Sequence, residues 1–306
     1  MSCQNRLNKT FEGAARLPLN SRTKYVLISD CHRGIGTSND NFLKNQNLYF
    51  AALQHYYRTG YTYIELGDGD ELWENRSMEQ IIEAHGNVFW LLSLFQAQGR
   101  LYMLYGNHDM VKKNSRYAGK IYGTYPRCCG NNPHLENQPL LPGLKFHSGI
   151  ILENTVLPAS MDIYLTHGHQ ADLFNSTFWR FTRFLVRYLW KPLERYGVLD
   201  PTSAAKNYTR KHKTEQRLHD WALKENHILI TGHTHRPALS AEDPHYYNSG
   251  SCVHPRCITC LEIERMHIQL VKWTLATRPD MSLYVNRETI AGPIPLFSAP
   301  NPKVKN

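Results

Sequence analysis

The chain has 306 residues, 42% of them hydrophobic, with 35 Lys or Arg against 26 Asp or Glu and a formal charge of +9. That is ample for a sizeable core, but no run approaches the ~20 apolar residues that cross a bilayer. Seven cysteines, an odd number in a chain this long, argue against a disulfide framework. The first twenty residues carry Arg6, Lys9, Glu12 and Arg16 with no continuous apolar stretch, which predicts no secretory leader and a cytoplasmic location.

Lys24–Ser29 reads as a buried strand. A helix capped by Asn39 or Asp40 should carry Phe42, Leu43, Leu48, Ala52 and Leu53 and stop near Gly60. Tyr61–Leu66 is the next strand, Ser77 to Gln98 a long helix, and Leu101–Tyr105 a third strand. Each of the three strands runs into a short polar motif. Strand, motif and helix recurring in this way predict a parallel sheet with functional groups at the carboxyl edge of its strands.

The second half is richer in strands: Leu144–Leu152, Met161–Thr166, Ile228–Thr231, Tyr246–Ser249, Cys257–Ile263 and His267–Trp273. Cys252, Cys257 and Cys260, with His254 between them, invite a zinc reading. The paired Cys-x-x-Cys occurs only once there and residues 257–263 have strand composition, so a strand is preferred. Cys128 and Cys129 lie in a Gly/Pro/Asn-rich loop and receive no role. The tail from Gly292, with Pro293, Pro295, Pro300 and Pro302, should be extended or loosely held.

Between Asn175 and Arg217, ten Lys or Arg stand against three acids, so one segment carries most of the basicity. Arg180, Arg183, Arg187, Lys191 and Arg195 recur every three or four residues and make one helical face basic. Phe174, Phe178, Phe181, Leu185, Tyr188 and Leu189 occupy the other side. Pro192 and Gly197 should end this helix, and a second should run from near Ser203 to Lys224. Two readings stand: a surface helix packing its apolar face on the body, or an aromatic, basic lid that meets lipid or a membrane surface.

Five polar motifs carry the chemistry. They are Asp30-Cys31-His32, Gly67-Asp68-Gly69-Asp70-Glu71, Gly106-Asn107-His108-Asp109, His167-Gly168-His169 and Gly232-His233-Thr234-His235. Six of the sixteen histidines fall inside them. At an extended strand end, residues i and i+2 point the same way, so Asp30 with His32, and His233 with His235, can each converge on one side. One Asp-x-His is weak evidence; five such sites in order, each after a strand, predict a metal centre. Carboxylate, amide and imidazole suit manganese, iron or zinc more than a thiol-loving ion. Two such ions ~3.5–4 Å apart can clamp a phosphate and activate water for attack on phosphorus.

The ordered set, spanning residues 25 to about 255, resembles the calcineurin-like metallophosphoesterase superfamily. That resemblance implies an α/β fold, a four-layer α/β/β/α sandwich, formed here by a single domain over 1–306 with a helical lid inserted at about 175–225. It implies one metal held by Asp30, His32, Asp68 and His235, and a second by Asp68, Asn107, His167 and His233. The cofactors expected are therefore two divalent ions, manganese first, with iron or zinc as alternatives. His108 is the candidate for stabilising or protonating the leaving group. Glu71, three residues after Asp68 and one helical turn on, is expected to orient it. Asp109 and His169 fit supporting roles, and Asn248 resembles a family loop near the metals but stays outside the ligand set.

Gly-Asp-x-x-Glu followed by Trp73, and Gly-His-Thr-His-Arg-Pro at 232–237, most resemble UDP-2,3-diacylglucosamine pyrophosphohydrolases, which also insert a lipid-gripping lid between the fourth and fifth motifs. Those enzymes usually have Arg where this chain has His108, and an acid where it has His169. The expected activity is hydrolysis of a phosphoester or pyrophosphate in a small anionic, nucleotide- or lipid-linked phosphate, with peripheral membrane contact through the lid and no obligate protein partner. A nuclease is the alternative from the basic surface, and a non-enzymatic scaffold ranks last because every expected ligand is present.

Overall fold

The computed structural model describes residues 2–37, 40–122, 139–155, 161–190 and 208–297. Its strands are β1 Ala15–Leu19, β2 Lys24–Ile28, β3 Thr62–Glu65, β4 Leu101–Leu104, β5 Phe146–His147, β6 Gly149–Asn154, β7 Ile163–Thr166, β8 Ile228–Thr231, β9 Tyr246–Asn248, β10 Cys257–Glu264, β11 His267–Thr277 and β12 Leu283–Pro295. They form two sheets, one ordered β12-β11-β10-β2-β3-β4-β5 and the other β1-β6-β7-β8-β9. The run β2 to β5 is parallel, as are β7 to β9, while β10, β11 and β12 pair antiparallel.

Period-two alternation with apolar residues on both faces stacks these sheets into layers. Leu27, Ile64, Leu104, Leu261 and Ile263 meet Ile150, Leu152, Ile163, Leu165, Ile228 and Ile230 between the sheets. The opposite face of the larger sheet, with Val26, Ile28, Tyr63 and Met103, packs on Leu48, Tyr49, Ala52 and Leu53 of helix Gln46–Arg58 and on Val88, Leu92 and Phe95 of helix Gly86–Ala97. Leu229 on the outer face of the smaller sheet meets Leu7 of helix Cys3–Phe11 and Leu218, Trp221 and Ala222 of helix Tyr208–Glu225. Helix, sheet, sheet, helix is the expected four-layer order.

Several local expectations change. The helix expected over 77–98 is two, Met78–Ala84 and Gly86–Ala97, because His85 leaves the helix (φ −120°) to reach buried Asp40 with its Nε2 at 2.9 Å. The run 144–152 is divided at Ser148 between β5 in one sheet and β6 in the other. The segment after Gly292 is not loose as far as Pro295, since Ile294 and Pro295 pair with β11. Cys257–Ile263 is a strand, as expected. The Cys128–Cys129 loop, Pro192, Gly197 and the helix start near Ser203 lie outside the described residues.

In the inserted segment, Leu173–Ser176 and Trp179–Leu185 are helical and Val186–Trp190 continues as a wider turn. The apolar face is not packed on the body. Phe178 is 49% exposed, Phe181 57% and Phe184 58%, and Phe174, Tyr188 and Leu189 are exposed as well. Thr182 and Val186 are buried instead. Among the described residues, no helix is long and apolar enough to cross a membrane.

Candidate metal centre

All five motifs follow the carboxyl ends of parallel strands: β2, β3 and β4 in one sheet, β7 and β8 in the other. The way they converge differs from the expected extended geometry. Asp30 (φ 53°), His32 (φ 49°), Asp68 (φ 50°), His233 (φ 67°) and His235 (φ 55°) all have left-handed backbones. Such backbone costs roughly 1–3 kcal/mol per residue outside glycine and is held only where surroundings over-determine it. Here the main chains of the motifs brace one another: Asp30 N donates to Gly67 O (3.1 Å), His32 N to Asp68 O (2.9 Å) and Gly232 N to His167 O (3.0 Å). Two glycines make room, since a Cβ on Gly106 would run into Asp68 Oδ1 and one on Gly232 into Asp30 Oδ2.

The sequence-predicted residues gather in three adjoining clusters among the described residues. Asp30, His32 and His235 form the first, Asp68, His167 and His233 the second, and His32, Glu71 and His108 a third that shares His32 with the first. In the first, His235 Nε2 lies 3.0 Å and His32 Nε2 3.8 Å from Asp30 Oδ1, and the two ring nitrogens are 3.4 Å apart. In the second, His167 Nε2 lies 3.1 Å from Asp68 Oδ2, which is also 3.9 Å from His32 Nε2. Asp68 thus stands between these two clusters, its other oxygen accepting from His108 N at 2.8 Å.

Several of these atoms have no hydrogen-bond partner although they are buried: Asp30 Oδ1, Asn107 Oδ1, His167 Nε2 and His233 Nε2. His167 Nδ1 bonds Leu66 O at 2.9 Å, so that nitrogen donates, and it is Nε2 that faces Asp68 and, in the neutral ring, presents a lone pair. In the neutral ring, the His167 Nε2 lone pair facing Asp68 Oδ2 at 3.1 Å without hydrogen-bond geometry is repelled unless a cation sits between them. Donors about 2.1 Å from one ion lie about 3–3.5 Å apart, which matches the 3.0, 3.1 and 3.4 Å separations, with His32 Nε2 a little farther from the two carboxylates at 3.8 and 3.9 Å. The residues present therefore fit divalent ions.

The electrostatics agree. Burial works to raise Asp30, but His235 and His167 overcome it and hold its carboxyl well below the usual range. Asp68 is likewise lowered against burial, by His167 and His108. Burial opposes a charge on His167, yet Asp68 and Asp30 push it up to about 9, whereas burial and the nearby His167 bring His233 down to about 3. Two carboxylates that stay ionised in a buried site require positive charge beside them, supplied by protons or by metal.

Glu71 is where the expectation put it but not by the expected route. Residues 67–71 are not helical; Asp70 bridges to Arg33 and the chain turns after it. The Glu71 carboxylate accepts from His108 Nδ1 (2.9 Å) and also from His32 Nδ1 (2.9 Å), a second contact the sequence did not suggest. The His108 ring lies flat on Trp73, with centroids 4.2 Å apart. Asp109 faces away from the clusters, accepting from Gly106 N (2.7 Å) and from Lys112 Nζ (2.7 Å). His169 is buried beside His167, and burial with His167 and His233 keeps it well below the usual histidine range. Asn248 supports the fifth motif, donating to Gly232 O at 2.7 Å.

Beneath the motifs lies a charged network. Arg33 donates to Glu65 (2.8 and 3.0 Å) and to Asp70 (2.7 Å), and Lys112 joins Asp70 to Asp109. All five side chains are buried. Burial opposes the Lys112 charge, but Asp109 and Asp70 hold its proton well above the usual lysine range. The network ties together the chains leaving β2, β3 and β4, the three strands that carry the first three motifs.

Residues 23–237 match the family model for calcineurin-like phosphoesterases. The chain belongs to that family. Membership agrees with the geometry in supporting metal-dependent phosphoester hydrolysis in general. No curated protein matches the chain. Solved structures similar to it include the following two. One is a conserved uncharacterized protein from Streptococcus pneumoniae TIGR4, titled a predicted phosphoesterase (16% identity, 87% of this chain and 97% of that one, TM-score 0.34). The other is Chaetomium thermophilum Vps29 (12% identity, 87% and 96% coverage, TM-score 0.37). At those scores neither likeness adds to what the residues themselves argue.

Proposed function

We propose that this calcineurin-like phosphoesterase is a dinuclear hydrolase of phosphoester or pyrophosphate bonds. Asp30, His32, Asp68 and His235 would hold one ion, and Asp68, Asn107, His167 and His233 the other, manganese being the first choice and iron or zinc the alternatives. The observation that carries this reading is the Asp30–His32–His235 cluster beside the Asp68–His167–His233 cluster, with four buried donor atoms that have no hydrogen-bond partner among the described residues. Two ions held there would neutralise phosphate oxygens and lower the pKa of water from about 15.7 toward ~7. His108 stands at the rim, partly exposed, with Glu71 on Nδ1, so its Nε2 is free to protonate the departing oxygen.

The substrate of this reading is a small anionic phosphate, and the inserted segment offers features that would recognise one. A cavity of about 400 Å³ lies between the Leu173–Ser176 turn and helix Tyr208–Glu225, lined by Lys213, Arg217, Leu173 and Phe174 and by Arg210, which is paired with Asp172 at 2.8 and 2.9 Å. Lys213 and Arg217 beside Leu173 and Phe174, together with the exposed Phe178, Phe181 and Phe184 of the inserted segment, favour a lipid-linked phosphate over a bare nucleotide, in line with the UDP-2,3-diacylglucosamine pyrophosphohydrolase-like branch. The test is manganese-dependent cleavage of bis-p-nitrophenyl phosphate, abolished in Asp68→Ala, followed by a screen of UDP-sugars, nucleotides and phospholipids. A metal-loaded wild type with no activity on any of them overturns the proposal.

A further inference from the structure

The turn Glu71–Arg76 has an attachment that the metal centre does not use. From the inserted segment, Arg187 donates Nε to Trp73 O (2.8 Å) and Nη2 to Leu72 O (2.7 Å) and Asn75 O (3.1 Å). Next to it, the Tyr188 hydroxyl accepts from Arg76 Nη2 at 2.7 Å, and the Arg76 guanidinium lies over the Tyr188 ring. Residues 186–190 are therefore latched to this turn at two successive positions.

The same turn grips His108 from two sides. Trp73 N and Glu74 N donate to Glu71 Oε1 (3.2 and 3.3 Å), Asn75 Nδ2 donates to Glu71 O (2.9 Å), and the Glu71 carboxylate holds His108 Nδ1. Trp73 supplies the flat surface under the imidazole. The turn is not regular structure, so its carbonyls at 72, 73 and 75 depend on an outside donor. A planar guanidinium can serve three carbonyls at once; an ammonium group at the end of a flexible stem cannot reproduce that fork.

We propose that Arg187 is a positioning residue: by tying down residues 72–75 it keeps Glu71 and Trp73 set against His108, so that the inserted segment fixes the proton donor of the reaction. This rests on His108 acting as the general acid. A residue that acts only through proton donation matters more as the leaving group becomes more basic, and a residue needed only for folding does not discriminate among leaving groups.

The experiment measures kcat for the full-length, manganese-loaded protein on phosphodiesters whose leaving groups grade from 4-nitrophenolate to an alkoxide. Wild type is compared with His108→Ala, Arg187→Ala, Arg187→Lys and the double variant His108→Ala/Arg187→Ala. Arg187→Ala should lose about threefold with 4-nitrophenolate, rising to about a hundredfold with the alkoxide, within the range general acids contribute. Arg187→Lys keeps the positive charge and should show the same slope if the alanine variant folds poorly. The double variant should lose no more than His108→Ala. If His108→Ala lacks leaving-group dependence, the reading of His108 fails and the proposal with it. If His108→Ala has that dependence while both Arg187 variants lose activity evenly or not at all, the role of Arg187 alone is overturned.

Discussion

Removing the Lys112 ammonium tests whether the charged network beneath the motifs holds them in place. In Lys112→Met the side-chain volume is nearly kept, but Asp70 and Asp109 lose their shared partner while staying buried. The network passes from two cations with three carboxylates to one cation, Arg33, which is already committed to Glu65 and Asp70. Breaking a buried ion pair from one side costs about 3–5 kcal/mol, because a charge is left without compensation. Against a total stability of ~5–15 kcal/mol that is a severe loss. Asp109 also accepts from Gly106 N, so the third motif should loosen along with the fold. Urea unfolding of wild type, Lys112→Met, Asp109→Asn and the double variant would measure it. The double variant should recover about 1–3 kcal/mol relative to the sum of the singles, since the lone carboxylate is gone. A loss below about 1 kcal/mol in Lys112→Met, or strict additivity, would refute the reasoning.

Three other perturbations have definite outcomes. Burial works to raise Asp40, but its bonds to His85 and to Gly36 N lower it, so its stabilisation is present above the unfolded value of about 3.9 and lost as pH falls through the lower folded value. Asp40→Asn should therefore cost about 1.5–3 kcal/mol at neutral pH, with the gap to wild type closing in acid when unfolding is followed at several pH values. Gly106→Ala puts a methyl group where Asp68 Oδ1 lies and should weaken metal binding by about tenfold or more in titration calorimetry, a change of ~1.4 kcal/mol or more if Asp68 is the ligand we propose. Charging the exposed aromatic face with Phe181→Asp and Phe184→Asp should abolish co-sedimentation with anionic vesicles while leaving the melting temperature near that of wild type; unchanged vesicle binding would remove the lipid-contact reading.

The layered architecture was legible because β2, β3, β4, β7 and β8 are short apolar runs that each end in a polar motif. The strands that escaped notice lack that signal. β1 contains Arg16 and Pro18 and sits at a sheet edge where a missing donor is tolerated. β12 is a mostly exposed edge strand with Asn286, Arg287 and Glu288 in its middle, and pairing with β11 rather than burial makes it a strand. At the site, residue types and order were readable, but the left-handed backbones at Asp30, His32 and Asp68 were not, since local propensity disfavours them and only the neighbouring motifs enforce them. Arg33 and Lys112 belong to none of the sequence motifs, yet both are buried. Their burial follows from Glu65 and Asp70, at and just after the end of β3, meeting Asp109 from beyond β4, a coincidence no local pattern announces.

The most direct check is the number of ions the protein holds. Metal-free protein would be reconstituted with manganese, freed of excess and assayed by elemental analysis against protein concentration, alongside Asp68→Asn. The account predicts two ions per chain in the wild type and a loss of both affinity and stoichiometry when the shared carboxylate is neutralised. A wild type that binds none, or a variant that keeps a full complement with undiminished affinity, would contradict it.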